Sequence, residues 1–326
     1  MAQSFVELKA QRLEDAERIM REAARLHRHE EEHVAGYHVR ARVQNALRYV
    51  EATDLADSIN NCSRSARCQS LWCADCRRTA AQSIETQMRK RIIDEEDLYL
   101  TLSGSTEIDR SKPDFNTYMN SEHRHVSGYV GLFSLDQDKV EQGLSFDRRR
   151  WKKIKERKSN TKFWIAGNYE FELVNYRYLL QRTNQDSEKK QRQIQQLLAY
   201  SIEQGWIKRT EGVGVLLHWH ALTNANDVKL EQALGDAYWL DDERLFKTGK
   251  TGLYVQGLHA NKGFDENVQK IASYALKSAT RYKHSFIGSD VGDELMLKSE
   301  LGRLIQVYHG VQGRSWRSMV LNHSIG

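Results

Sequence analysis

Apolar and polar positions along the chain predict strands at three places, and two of these carry residues able to do chemistry. From Val213 to Thr223 the chain reads Val-Gly-Val-Leu-Leu-His-Trp-His-Ala-Leu-Thr, an apolar run of strand length broken by two histidines. A β-strand has a side-chain period of two, so His218 and His220 are predicted on one face and Trp219 on the other. Lys162–Leu173 predicts a second strand, on which Glu170 and Glu172 share a face. Asp97–Gly104, with leucines at 98, 100 and 102 and a closing glycine, predicts a third.

Helical patterns lie between and around these strands. Phe5–Tyr49 is dense in Ala, Glu, Arg and Leu, and predicts one long or two shorter helices. Its histidines at 27, 29, 33 and 38 stand among Arg28 and Glu30 to Glu32, as on a solvated polar face. Ser187–Glu203 predicts a further helix. Asp265-Glu266-Asn267 is suited to cap a helix running through Tyr274 to about Tyr282, with Val268, Ile271, Ala272, Ala275, Leu276 and Ala279 as its buried stripe. Tyr274 and Lys277 are one turn apart on this helix, and Lys270 and Arg281 extend the same flank. Nearby cations favour the ionised form of a tyrosine hydroxyl, which suits it to nucleophilic attack on phosphate. His123-Arg124-His125, a second His-x-His, is expected to be a polar loop outside any apolar strand.

Together these patterns predict an α+β fold built on a central antiparallel sheet with flanking helices. The expected organisation is a helical N-terminal region over 1–55, a cysteine segment over 56–95, and a main domain over 96–326 with a helical insertion around 176–208.

Composition narrows the class. With 40% hydrophobic and 29% charged residues in 326, the chain belongs with globular proteins. No apolar stretch approaches a membrane span and no secretory pattern opens the sequence, so a cytoplasmic protein with no membrane partner is expected. The net charge is only +5, but Arg148 to Lys158 holds eight basic residues in eleven positions. Arg148, Arg149, Arg150, Lys152 and Lys153, with Trp151 among them, are candidates for a phosphate backbone; a solvated helix face explains them equally well.

All four cysteines fall within fifteen residues, at Cys62, Cys68, Cys73 and Cys76. In a reducing compartment a four-cysteine cluster closing on Cys-x2-Cys points to a structural Zn2+ site, with reduced structural cysteines as the alternative. Arg64, Arg67, Arg77 and Arg78 between and after the cysteines are further candidate DNA contacts. The His218–His220 pair is open to two readings as well: hydrogen-bonded histidines on a sheet face, or half of a divalent-metal site.

Four features occur in order: Leu-Thr-Leu at Leu100 to Leu102, Trp-x-x-Gly-x-x-Glu from Trp164 to Glu170, His-x-His at His218, and Tyr-x-x-Lys at Tyr274. In this order the chain resembles the HUH endonuclease superfamily, and within it the rolling-circle replication initiators of small bacterial plasmids. The upstream cysteine cluster is also similar to theirs. The resemblance spans roughly Asn60 to Tyr282. It implies that His218 and His220 hold Mg2+ or Mn2+ against a scissile phosphate, with Glu170 as third ligand and Glu172 as fallback. Tyr274 would be the nucleophile and Lys277 would position the phosphate or lower the tyrosine pKa.

The implied product is a 5′-phosphotyrosine and a free 3′-hydroxyl at a single-stranded or hairpin origin in a bacterial cytoplasm, with host helicase and polymerase as further partners. Lys270 and Arg281 join the basic run as expected DNA contacts. The chain departs from the family pattern at Leu216 and Leu217, where a proline and a histidine often stand, and at Lys270 and Ile271, where an acidic residue is usual. Glu266 lies two turns before the tyrosine, and Tyr282 points elsewhere on the helix, so a single active tyrosine is expected. A transposase or mobilisation relaxase would share this site. A zinc-containing DNA-binding regulator without cleavage activity is the alternative of another class.

Overall fold

The computed structural model describes residues 40–63, 65–156, 162–175, 189–234, 238–240, 251–274, 294–312 and 319–325. The elements follow in the order α1 (residues 40–49), α2 (Thr53–Asn60), α3 (Ala74–Ser103), α4 (Pro113–Glu122), β1 (Arg124–Phe133), α5 (Gln137–Glu156), β2 (Phe163–Asn175), α6 (Lys189–Glu203) and β3 (Val213–Thr223). They continue through α7 (Asp227–Leu234), β4 (Tyr238–Leu240), β5 (Thr251–Gly257), α8 (Phe264–Tyr274), α9 (Glu294–Gln312) and β6 (Val320–Ile325). The strands form one sheet in the order β4-β5-β1-β3-β2-β6. Five of them, β5-β1-β3-β2-β6, are antiparallel, and short β4 joins the edge in parallel with β5. The fold is α+β, as the hydrophobic pattern predicts.

Helices cover both faces, and the side-chain alternation of β2 and β3 decides what each face holds. Trp219 packs its ring 5.6 Å from Trp151 of α5, Tyr169 donates its hydroxyl to Asp147 of α5 at 2.9 Å, and Phe171 meets Tyr308 of α9 at 4.5 Å. The alternate residues Trp164, Asn168, Glu170, His218 and His220 therefore face the other layer. There Trp164 donates its indole N–H to Glu95 of α3 at 3.0 Å. α8 belongs to that layer, packing against α3, α4, β3 and β2 through buried Val268, Ile271 and Ala272.

Two glycines permit the close strand packing under the His pair. A Cβ at Gly167 would strike the backbone carbonyl of His220 and Ala221, and a Cβ at Gly128 would enter the indole of Trp219. Gly167→Ala is expected to lower stability by about 1–3 kcal/mol, the cost typical of overpacking, measured by urea denaturation.

Several expectations are corrected here. Asp97–Gly104 is not a strand, since residues 97–103 are the last turns of the thirty-residue helix α3, which stops at Gly104 with φ +66°. The buried positions Cys76, Ala80, Ile84, Met88, Ile92 and Glu96 recur every four residues, and that longer helical period overrides the short local alternation. Leu98 and Leu102 are exposed, so their alternation lines no buried face.

A strand that was not expected, β1, pairs with β3 on the side away from β2. It begins at Arg124 within the expected polar loop, so Arg124 and His125 enter the sheet and His123 stands just before it.

The expected divisions at 55/56 and 95/96 fall inside α2 and α3. Val43, Leu47, Trp72 and Cys76 belong to the same buried cluster as the sheet. In the expected insertion around 176–208, residues 176–188 lie outside the described residues. α6 is packed, not projecting: Leu197, Leu198 and Tyr200 are buried and Ser201 accepts the β1 amide of Leu132 at 2.9 Å. The expected helices before residue 40, including the four early histidines, lie outside the described residues.

Candidate metal centre

Three neighbouring strands place six side chains in a two-by-three grid on one face. In the central strand β3, His218 lies opposite Glu170 of β2 and Tyr129 of β1, and His220 lies opposite Asn168 of β2 and Ser127 of β1. The Nε2 atoms of both histidines converge on one carboxylate oxygen, Glu170 Oε2, at 3.1 Å from His218 and 3.2 Å from His220. The ligand atoms of the three residues all lie within 4.8 Å of one another. Glu170 and His218 are buried, with only the His220 edge of the group reaching toward solvent.

Burial alone would raise the pKa of Glu170. The hydrogen bonds from His218 and His220 outweigh it and hold the carboxyl well below the ordinary carboxylate range. An anionic carboxylate with two imidazoles is a sound donor set for a divalent cation. An octahedron with ligand bonds of about 2.1–2.2 Å has edges of about 3.0–3.1 Å, close to the two N···O separations here. The group could hold a metal ion. Glu172 shares the face but lies opposite Leu216, outside the group.

The far side of His220 is also held. Its Nδ1 lies 2.7 Å from Ser127 Oγ and 3.2 Å from His125 Nε2, and the His125 ring stacks on His220 at 5.3 Å. Desolvation of the His125 ring, then the neighbouring His220, pull its pKa down to about 3, leaving it neutral at neutral pH. A ligating histidine is oriented by the partner of its other ring nitrogen. Ser127 Oγ accepting the Nδ1–H would leave Nε2 of His220 free for a cation, and Ser127→Ala is expected to weaken Mn2+ affinity about 10–100-fold by calorimetric titration.

His125 and Ser127 are missing from the expected site. Their signal was the period-two series His125, Ser127, Tyr129 leading into an apolar run. His123, the other half of that motif, is fully buried, with Nδ1 2.8 Å from Met119 O and its ring against Phe264 and Trp164.

α8 lies over this face, and Tyr274 is its last described residue. The side chain of Tyr274, and all of Lys277 and Arg281, lie outside the described residues. One turn before Tyr274, Lys270 places its Nζ 2.9 Å from His259 Nε2, and both groups act electrostatically on His125. Lys270 thus stands beside the grid.

The basic run divides. Arg148, Arg149, Lys152 and Lys153 are exposed on α5, which covers the sheet face opposite the histidines. Arg150 is buried against Asp147 at 3.3 Å and over the Phe146 ring at 4.6 Å. It cannot reach a phosphate backbone from there. Trp151, expected among the surface cations, is in the core.

The four cysteines gather where α2 ends and α3 begins. Cys76 Sγ lies 3.5 Å from Cys62 Sγ and 3.6 Å from Cys68 Sγ, and all four Sγ atoms lie within 4.8 Å of one another. These separations are far longer than a disulfide and close to the roughly 3.8 Å edge of a tetrahedron with 2.3 Å arms. The hydrogen bond from Cys68 holds the Cys73 thiol down at about 5, aided by the amides of Cys76 and Asp75 at the start of α3. Trp72 joins the cluster to the sheet layer through its edge contact with Tyr308, 6.5 Å away. Both clusters are candidate metal sites. No helix among the described residues is long and apolar enough to cross a membrane.

No protein-family model, curated protein or solved structure matches this chain.

Proposed function

We propose that the protein is a metal-dependent, site-specific single-strand DNA endonuclease and strand transferase, of the HUH kind that initiates rolling-circle replication of small bacterial plasmids. The observation that carries the reading is the Glu170–His218–His220 group on adjacent antiparallel strands, with the helix that includes Tyr274 packed against the same two strands. The order of the glutamate strand, the histidine strand and the tyrosine helix also agrees with the resemblance.

Mg2+ or Mn2+ on the three ligands would draw charge from the oxygens of a scissile phosphate. The chain's residues then have separate tasks. Tyr274 Oη attacks phosphorus as its proton leaves, the bond from phosphorus to the 3′-oxygen breaks, and that oxygen takes up a proton. The products are a 5′-phosphotyrosine and a free 3′-hydroxyl from which a host polymerase extends. Lys277 positions the phosphate, and Lys270 adds a cation where an acidic residue would activate water. A 3′-hydroxyl attacking the phosphotyrosine reverses the first step and rejoins the strand without water. The cysteines hold structural Zn2+, and the exposed cations of α5 bind DNA flanking the nick from behind the sheet.

The test incubates labelled single-stranded DNA from the replicon that encodes the protein with Mn2+ or with chelator. A denaturant-resistant protein–DNA adduct is expected with Mn2+ alone, and none in Tyr274→Phe. DNA bound but intact under every condition would favour the zinc-containing regulator instead.

A further inference from the structure

We propose that Asn168 is a fourth protein ligand at the Glu170–His218–His220 group, giving its amide oxygen to a hard divalent cation. The inference rests on the metal-centre reading of those three residues.

Asn168 and Glu170 are two apart on β2, and the register puts them directly opposite His220 and His218. Opposed residues on antiparallel strands project from the same face, so the four side chains occupy the corners of one rectangle on two strands. The fourth corner is thus the register neighbour of both Glu170 and His220 on this face. The fourth carries a carbonyl oxygen, which is a ligand that Mg2+ and Mn2+ accept.

The state of Asn168 points the same way. The residue is fully buried, and neither Oδ1 nor Nδ2 has a hydrogen-bond partner. Its neighbour on the other side is Val320 of β6, which has nothing polar to offer in its side chain. Buried amides are almost always bonded, and one that is unsatisfied at both ends calls for a reason, of which a bound ion is one. A leucine of similar shape would fill the position without any penalty for unpaired polar atoms. An asparagine beside two histidines and a glutamate has a use for its oxygen. Bound to a cation, Oδ1 is satisfied, and Nδ2 is left to donate to an oxygen held on that cation. An amide oxygen added to the carboxylate shifts the set toward oxygen, which favours Mg2+ and Mn2+ over softer metals.

The experiment titrates Mn2+ into zinc-replete wild type, Asn168→Leu and Asn168→Asp, reading free Mn2+ by electron paramagnetic resonance, with thermal melts of each in the absence and presence of Mn2+. Wild type is expected to bind one Mn2+, Asn168→Leu to bind about 10–100-fold more weakly, and Asn168→Asp at least as tightly as wild type. Without Mn2+, Asn168→Leu is expected to melt at or above wild type, because two unpaired polar atoms are gone. If Asn168→Leu does not fold, Asn168→Asp carries the test. At a ligand position its carboxylate makes the Mn2+-induced rise in melting temperature larger than in wild type; away from the cation it is a buried unpaired charge, and Mn2+ raises the melt no more than in wild type. Unchanged Mn2+ affinity in Asn168→Leu, or an Asn168→Asp protein that Mn2+ stabilises no more than wild type, overturns the role of Asn168 alone. Absence of Mn2+ binding by wild type overturns the metal centre and Asn168 with it.

Discussion

His220→Ala is expected to weaken Mn2+ binding by about a hundredfold or more and to lower adduct formation at least in proportion, while leaving the fold intact. The reason lies in how His220 is held. Its Nε2 reaches Glu170 while its Nδ1 rests against Ser127 and His125, so the ring is fixed before any metal arrives. Removing it deletes a ligand and also frees one of the two hydrogen bonds that keep the Glu170 carboxyl anionic. The residue stands at the more open edge of the cluster, so its loss opens space to water and does not collapse the core. His218→Ala is expected to lose as much activity and more stability, since His218 is buried. Mn2+ titration and a chemical denaturation curve on each variant check both parts. Wild-type Mn2+ affinity in His220→Ala would remove this residue from the ligand set.

The second large effect is at the cysteines. Removal of the structural metal by chelator, or Cys73→Ser, is expected to lower the melting temperature by roughly 10 °C or more. Cys73 is fully buried and caps the thirty-residue helix α3, whose other end carries the Glu95 contact to Trp164 of the sheet. Without a metal the four sulfurs lose the ion that would tie them together, and the start of α3 loses its anchor. Trp72 lies next to Cys73 and touches Tyr308, so the disturbance reaches the sheet layer. Differential scanning calorimetry with and without chelator measures it, and an unchanged transition would show reduced cysteines packed without metal.

What the sequence revealed and what it hid have physical causes. The His218–His220 pair and Glu170 were legible because a strand's period of two is local, and both strands are long enough to show it. Asn168 has the same parity as Glu170 and was still invisible as a neighbour of His220. That pairing depends on the register between strands 52 residues apart in the chain, which no local pattern encodes.

His125 and Ser127 were hidden for a similar reason, compounded by His123-Arg124-His125 looking polar when read without the apolar run that follows. The opposite error occurred at Leu98 to Leu102, where a local alternation looked like a strand although a four-residue period from Cys76 to Glu96 was already running. Arg150 shows the limit of reading charge by count: one cation in a basic run can turn inward when an Asp147 waits three residues back on the same helix.

The central claim is that Tyr274 cuts DNA at the metal-binding face, and mapping the covalent adduct tests it most directly. Wild type is incubated with Mn2+ and single-stranded origin DNA, digested with protease and nuclease, and sequenced by tandem mass spectrometry. The account predicts a nucleotide linked through its 5′-phosphate to Tyr274. A nucleotide on any other residue, or DNA cut with a free 5′-phosphate and no linked peptide, would contradict it.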